Sequence, residues 1–148
     1  MRQKPKKKIT RRMRSSLFLL PAMLGPFSKM RVFFHRLRGV NIGENVEIGY
    51  YVLIDNLYPE KVTIEDGVTI AARSTVLAHD ESALYTGTGD EMVGETRISE
   101  NAFVGVHSVI LHGVTIGKNS IVGAGSVVTS DVPDNTKVAG VPAKSISD

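Results

Sequence analysis

Three histidines, His79, His107 and His112, carry most of the reactive chemistry that this sequence offers. His79 is followed directly by Asp80, and His107 and His112 stand five apart. An imidazole titrates around ~6.5, so it suits acid–base work on a hydroxyl at neutral pH. Three neutral imidazoles would equally suit a catalytic zinc. The residue types leave both chemistries open. There is no cysteine, which excludes a thiolate metal site, a cysteine nucleophile and a disulfide framework. No tryptophan and 6% aromatic residues argue against a stacking platform for nucleic acid.

What must position these histidines is a repeat. From residue 42 an aliphatic side chain recurs every six positions: Ile42, Ile48, Ile54, then Ile64, Ile70, Val76. After an interruption the series resumes as Ile98, Val104, Ile110, Ile116, Val122, Val128. The next residue is often small or acidic, as at Gly43, Gly49, Asp55, Gly105, Gly117 and Gly123. Helical heptads would recur at three and four, so the period argues for one short strand plus a corner per unit. The aliphatic residue points inwards and the small residue is expected to let the backbone turn. Three units close a triangular coil, and coils stack through strand-to-strand hydrogen bonds about 4.8 Å apart. Coils are expected at 42–59, 64–81, 98–115 and 116–133, with a four-residue insertion at 60–63. Residues 82–97 break the register and must leave the coil as an irregular loop with His79 at its base. A long excursion in so regular a fold is usually functional.

Composition sets the remaining bounds. The 148 residues are 42% hydrophobic and 22% charged, enough for one packed domain. The net charge of +3 hides an asymmetry. Residues 1–38 hold twelve of the eighteen Lys and Arg and no carboxylate, which leaves the rest at −9. The domain expectation is a basic N-terminal arm over 1–39 and a β-helix domain over 40–148. Eight Lys and Arg between Arg2 and Arg14 make that stretch a poor candidate for independent order. The apolar run from Leu17 to Phe27 is too short to span a bilayer. Pro21 and Pro26 interrupt it, and no small-residue cleavage pattern follows, so it is not read as a secretory signal. Met30, Phe33, Phe34 and Leu37 then fall at helical spacing, with Lys29, Arg31, Arg36 and Arg38 facing elsewhere. This predicts a basic amphipathic helix ending before Gly39. It either caps the main fold, the favoured reading, or gives residues 1–38 a peripheral contact with an anionic membrane.

The segment Val104–Lys144, VGVHSVILHGVTIGKNSIVGAGSVVTSDVPDNTKVAGVPAK, resembles the C-terminal half of the hexapeptide-repeat O-acetyltransferases, among them the galactoside and maltose enzymes. Val68–Asp80, VTIAARSTVLAHD, resembles their catalytic coil. The resemblance covers about residues 40–146 and implies an all-β, left-handed parallel β-helix, a sense opposite to the usual crossover rule. It further implies a cytoplasmic homotrimer that uses acetyl-CoA as co-substrate, needs no metal and acetylates a sugar or glycan hydroxyl. His79 takes the place of the general base. Val106, Ala124, Thr129, Ser130 and Lys144 match acetyl-CoA contacts, and Phe103 matches an aromatic along the pantetheine channel. Lys144 replaces an arginine of relatives, which forfeits bidentate phosphate recognition. Ser147 stands where relatives carry a further basic residue. Asp55 and Asn56 fall near a substrate-binding acidic pair. Asp80 is placed with the substrate-binding residues and is also a candidate to orient the imidazole. Residues 1–38 do not resemble the N-terminal helical segment of the galactoside and maltose enzymes.

Two other classes share this fold. The gamma-class carbonic anhydrases bind zinc or iron through three histidines, which His79, His107 and His112 resemble in spacing. Their Arg-x-Asp before the first histidine is absent from 42–60, and AGVPAK belongs to the acyltransferases. A non-catalytic β-helix scaffold is the third reading, and a usable His79 counts against it.

Overall fold

The computed structural model describes residue 13 and residues 15–146, so readings on the rest of the basic segment 1–14 and on Ser147 lie outside it. All twelve aliphatic repeat positions end a short strand, and eleven of them are buried; Ile42 is half-buried. The strands stack in three parallel sheets. The first comprises Asn41–Ile42, Val62–Ile64, Thr96–Ile98 and Thr115–Ile116. The second comprises Glu47–Ile48, Thr69–Ile70, Phe103–Val104, Ile121–Val122 and Lys137–Gly140, with Ala143–Ser145 antiparallel at its edge. The third comprises Leu53–Ile54, Thr75–Val76, Val109–Ile110 and Val127–Val128. Register is kept column by column, as in Ile54, Val76, Ile110 and Val128. The four extra residues are absorbed in a 3-10 turn at Pro59–Lys61.

The corners work differently from the sequence expectation. Gly49, Gly105 and Gly117 do not turn the chain, since none has a positive φ. They permit close approach: a Cβ there would lie 2.5–2.6 Å from the backbone nitrogens of Ala72, Ala124 and Asp134 on the next coil. The turn comes two residues later, where Asn45, Gly67, Asn101, Asn119 and Asn135 form a column at φ 54–70°. Asn and Gly tolerate that left-handed conformation best. A second column holds Tyr51, Arg73, His107 and Gly125.

The excursion at 82–97 is also more ordered than an irregular loop. His79–Asp80 pairs antiparallel with Met92–Val93, and a helix, Ser82–Thr86, lies between them. The parallel ladder resumes at Thr96. The hairpin keeps the excursion's two ends hydrogen-bonded beside the coil.

Residue 13 and residues 15–17 are helical, followed by α1, Leu19–Leu24, and α2, Ser28–Arg38, which ends at Gly39 with φ 112°. The helix forms where the spacing predicts, with Phe34 and Leu37 half-buried and Lys29 and Arg36 exposed, but part of the expected face is exchanged. Arg31, His35 and Arg38 are buried, whereas Met30 and Phe33 are exposed. The cause is the direction of the ladder. After each aliphatic position the N–H points to a carbonyl of the next coil, as from Gly43 to Ile64, Gly49 to Ile70 and Asp55 to Val76, while corner residues such as Gly67 and Arg73 donate back. The first coil therefore has carbonyls with no preceding coil to satisfy them, and buried carbonyls need donors. Arg36 Nε donates to Ile42 O at 3.2 Å, Arg31 Nε to Ile48 O at 2.7 Å, and Arg38 Nη2 to Ile54 O at 2.8 Å. One arginine thus caps each sheet. Arg38 also donates to the carbonyls of Asp55 and Ser15.

Arg38 Nη1 lies 2.9 Å from His35 Nδ1, which must accept because guanidinium only donates. Burial, with the charges of Arg38 and Arg31 beside it, pushes His35 down to about 3. The folded chain holds this imidazole neutral, and the unfolded chain protonates it below about 6.5. Its contribution is complete above that value and is lost as pH falls towards 3. Melting temperature should fall between pH 6.5 and 4, and His35→Asn should show a shallower slope over that window. The difference should amount to a few kcal/mol, on the order of ~3, across the full window. Parallel slopes would show that His35 is not the titrating group.

Candidate active site

His79 leaves the third sheet three residues after Val76, at the start of the hairpin. One coil earlier in the chain, Asp55 follows Ile54, the register partner of Val76. This brings the two side chains together: His79 Nδ1 lies 2.5 Å from Asp55 Oδ2. The Asp55 side chain has no exposed surface, and that of His79 is 14% exposed. Asp55 Oδ2 also accepts the N–H of Ala78 at 2.7 Å. Its Oδ1 accepts the N–H groups of Leu57 at 2.9 Å and Tyr58 at 2.8 Å. Burial alone would raise this carboxyl, but the donors from Tyr58, Ala78, His79 and Leu57 outweigh it and hold Asp55 below the usual range.

An ionised carboxylate with four donors can only accept. His79 Nδ1 therefore carries a proton, and a neutral ring leaves Nε2 as a bare acceptor. The Tyr58 ring packs on the imidazole at 5.6 Å between centroids. Tyr58 also donates from its hydroxyl to Glu91 Oε2 at 2.9 Å, tying the far arm of the hairpin to the site. His79, Glu81 and Glu91 offer ligand atoms that all lie within 4.8 Å of one another.

The sequence-derived site residues separate by position. Asp55, read as near a substrate-binding pair, is buried beneath the histidine and has no surface for an acceptor. Asn56 is exposed, and its carbonyl accepts from Ser15 Oγ. Asp80 does not orient the imidazole. Its carboxylate accepts the N–H of Ser82 at 2.7 Å, and that bond holds it below the usual range. Thr129 and Ser130 are exposed at the corner after the third sheet, in the same column of corners as His79 and His112. Phe103 and Val106, both exposed, and Ala124 lie along the second sheet and its following corner. Lys144 is on the antiparallel edge strand of that sheet, opposite Ala139. The acetyl-CoA candidates thus occupy two adjacent edges of the triangular prism. His107 is a corner residue at φ 57°. Among the described residues His107 and His112 do not join His79 in a cluster of ligand atoms within the chain.

Sequence reading missed Tyr58, Glu81 and Glu91 at the site, and the partnership of Asp55 with His79. A signal for the partnership existed. With four inserted residues allowed for, Asp55 lies level with Leu77, two residues from His79.

Residues 95–130 match the family model for the bacterial transferase hexapeptide of six repeats. The chain is 38% identical over 117 residues to the galactoside O-acetyltransferase of Escherichia coli (strain K12), covering 78% of this chain and 57% of that protein. It is 32% identical over 123 residues to YvoF of Bacillus subtilis (strain 168), provisionally named an acetyltransferase, covering 82% of this chain and 68% of that one. The chain belongs to the hexapeptide-repeat acetyltransferase family. It spans little more than half the length of the Escherichia coli relative. A hexapeptide-repeat acetyltransferase from Vibrio cholerae has the same fold, with a TM-score of 0.80 at 24% identity over 97% of this chain and 93% of that one. That protein has also been solved with acetyl-CoA. The fold class is the left-handed β-helix of these acetyltransferases.

The tautomer is directly measurable. Imidazole ¹⁵N spectra at pH 7.5 should show His79 protonated at Nδ1 and bare at Nε2, with the Nδ1 proton strongly deshielded by the short bond. Asp55→Asn should remove that deshielded proton. A His79 ring protonated at Nε2 in the native protein would contradict the assignment.

Proposed function

We propose that this protein is an acetyl-CoA-dependent O-acetyltransferase that acts on a hydroxyl of a sugar or glycan intermediate. The observation that carries the reading is the Asp55–His79 pair, which leaves Nε2 of a nearly buried imidazole as a free acceptor beside a structured excursion. The name of the Escherichia coli relative supports the acceptor class, and the acetyl-CoA complex of the Vibrio cholerae protein supports the donor.

A hydroxyl is a poor nucleophile, so the reaction needs a base that is neutral at working pH. His79 Nε2 takes the hydroxyl proton as the oxygen attacks the thioester carbonyl carbon. The carbon–sulfur bond then breaks, and the imidazolium returns the proton to the departing thiolate. No covalent acyl-enzyme is needed. Asp55 holds the ring in the required tautomer and steadies the positive charge that develops on it. It is a positioning residue, since its side chain is closed to solvent. Phe103, Val106 and Ala124 offer exposed surface for the pantetheine arm, and Lys144 a charge for phosphate. Thr129 and Ser130 stand at the corner that leads back towards His79.

The reading takes the protein as a cytoplasmic homotrimer. Exposed acetyl-CoA candidates on two edges of the prism fit a groove closed by a second subunit, and cyclic closure would repeat the arrangement. Among the described residues no helix is long and apolar enough to cross a membrane.

His79→Ala should lower kcat by roughly 10²–10⁴, the usual scale for acid–base catalysis, and leave acetyl-CoA affinity nearly unchanged. His107→Ala and His112→Ala should be much milder, with metal content unaltered. Collapse in all three variants together with loss of zinc or iron would replace acetyl transfer by a metal-centred reaction. Unchanged turnover in His79→Ala would remove the base. A screen of acetyl-CoA consumption against sugars and sugar nucleotides would identify the acceptor. Light scattering at micromolar concentration should give three times the 16.1 kDa chain mass, and a stable monomer would contradict the trimer.

A further inference from the structure

The capping arrangement leaves the other side of the N-terminal helices without a partner in the chain. Met13, Leu17, Leu20, Leu24 and Phe27 recur at alternating steps of four and three, and all five are exposed. Leu17 and Phe27 each show 71% of their surface, and Leu20 shows 65%. Met30 of α2, 39% exposed, extends this apolar surface. Between the helices it dips into a depression of about 290 Å³ lined by Leu20, Pro21, Leu24, Gly25 and Met30. Isolated exposed apolar residues are ordinary, whereas a continuous stripe marks an interaction surface.

Charge decides the occupant. Residues 1–38 contain no carboxylate. Arg31, Arg36 and Arg38 are engaged by the first coil's carbonyls, and Arg36 also lies 3.3 Å from Glu44. Seven Lys and Arg between residues 2 and 12 directly precede the stripe, Arg14 falls within it, and exposed Lys29 follows it. Packing stripe against stripe between two copies would crowd these cations together. An anionic lipid surface matches both features at once, with headgroups for the cations and the acyl boundary for the apolar side chains. Either signal alone gives weak attachment, and the two together give stable attachment.

We propose that the exposed stripe Met13–Leu17–Leu20–Leu24–Phe27, with the basic segment before it, docks the protein peripherally on an anionic membrane. The buried arginines, with Val32 packed in the core beside them, fix the stripe's orientation: α2 is bonded to the first coil, and the exposed apolar residues of the pair face outwards.

The test is co-sedimentation of the full chain with vesicles. One set is phosphatidylcholine with about one-third phosphatidylglycerol, and the other is pure phosphatidylcholine. The wild type should bind the anionic vesicles at low salt, with affinity falling at least about tenfold when salt rises to several times physiological, because screening shortens the reach of surface charge. Binding to neutral vesicles should be weaker by a similar factor. Leu17→Glu with Leu20→Glu should abolish binding without shifting the melting temperature, since both side chains are exposed. Changing Lys4, Lys6, Lys7 and Lys8 to Gln should remove most of the salt-dependent part, which keeps the test available should the double glutamate variant fail to fold. No binding at low salt, or equal binding to neutral vesicles, overturns the proposal. So does a fall in molar mass of the Leu17→Glu, Leu20→Glu protein without lipid, which would assign the stripe to a second copy of the chain.

Discussion

A parallel β-helix has a direction, and this chain is organised around that fact. Around each aliphatic position the N–H groups point forward to carbonyls of the next coil, so the carbonyls of Ile42, Ile48 and Ile54 in the first coil have no preceding strand to donate to them. The N-terminal end is the negative pole of three stacked ladders. Donors must be supplied there, and arginine suits the task with several N–H groups on a planar fork and a long apolar stem. Arg31, Arg36 and Arg38 each serve one sheet, spaced along α2 so that the helix can lie across the triangular opening. Carboxylates accept backbone N–H groups along the whole stack: Asp66 that of Glu44, Glu65 that of Glu100, Asp131 that of Thr115 and Asp134 that of Lys118. The basic half of the chain's charge asymmetry therefore has a structural part, since three of its arginines serve the carbonyl end.

The site grows out of the same stacking. A column of buried Ile and Val holds Ile54 level with Val76, and each such side chain contributes on the order of ~2 kcal/mol when fully buried. The columns leave little freedom for coils to slip, so residues just outside the strands inherit their register. Asp55 and His79 are 24 positions apart, yet one lies under the other. Three backbone N–H groups keep the carboxylate ionised inside the protein, where burial alone would have neutralised it. The first coil thus has two duties at this corner. Asp55 offers its carboxylate to His79, and its carbonyl to Arg38. The N-terminal helix is bonded to the same residue that positions the imidazole.

The excursion between His79 and Thr96 departs from the coil without losing order. Antiparallel pairing of His79–Asp80 with Met92–Val93 and the Tyr58–Glu91 hydrogen bond hold it against the corner. Glu81 and Glu91 thereby bring their carboxylates close to the histidine, with ligand atoms within 4.8 Å of one another, which a reading of the excursion as an unstructured loop could not anticipate.

The six-residue period determined the stacked triangular coils from the sequence alone, because inward-facing positions in so narrow a coil accept only residues of one size and polarity, while the left-handed sense came from the resemblance. Coil boundaries and the importance of His79 followed from that period and from the resemblance it supported. Helix α2 was legible too, from spacing and Gly39. The burial of Arg31 and Arg38 was not, because an apolar stripe normally marks the inner side and only the stacked coils reveal a ring of carbonyls in need of donors. The roles of Asp55 and Asp80 were likewise exchanged by tertiary structure. Adjacency to His79 favoured Asp80, but consecutive strand residues point to opposite faces, and the partner had to come from the coil below. The glycines after the aliphatic positions were expected to turn the chain. They make room for the next coil's backbone, and that demand exists only once the coils are stacked.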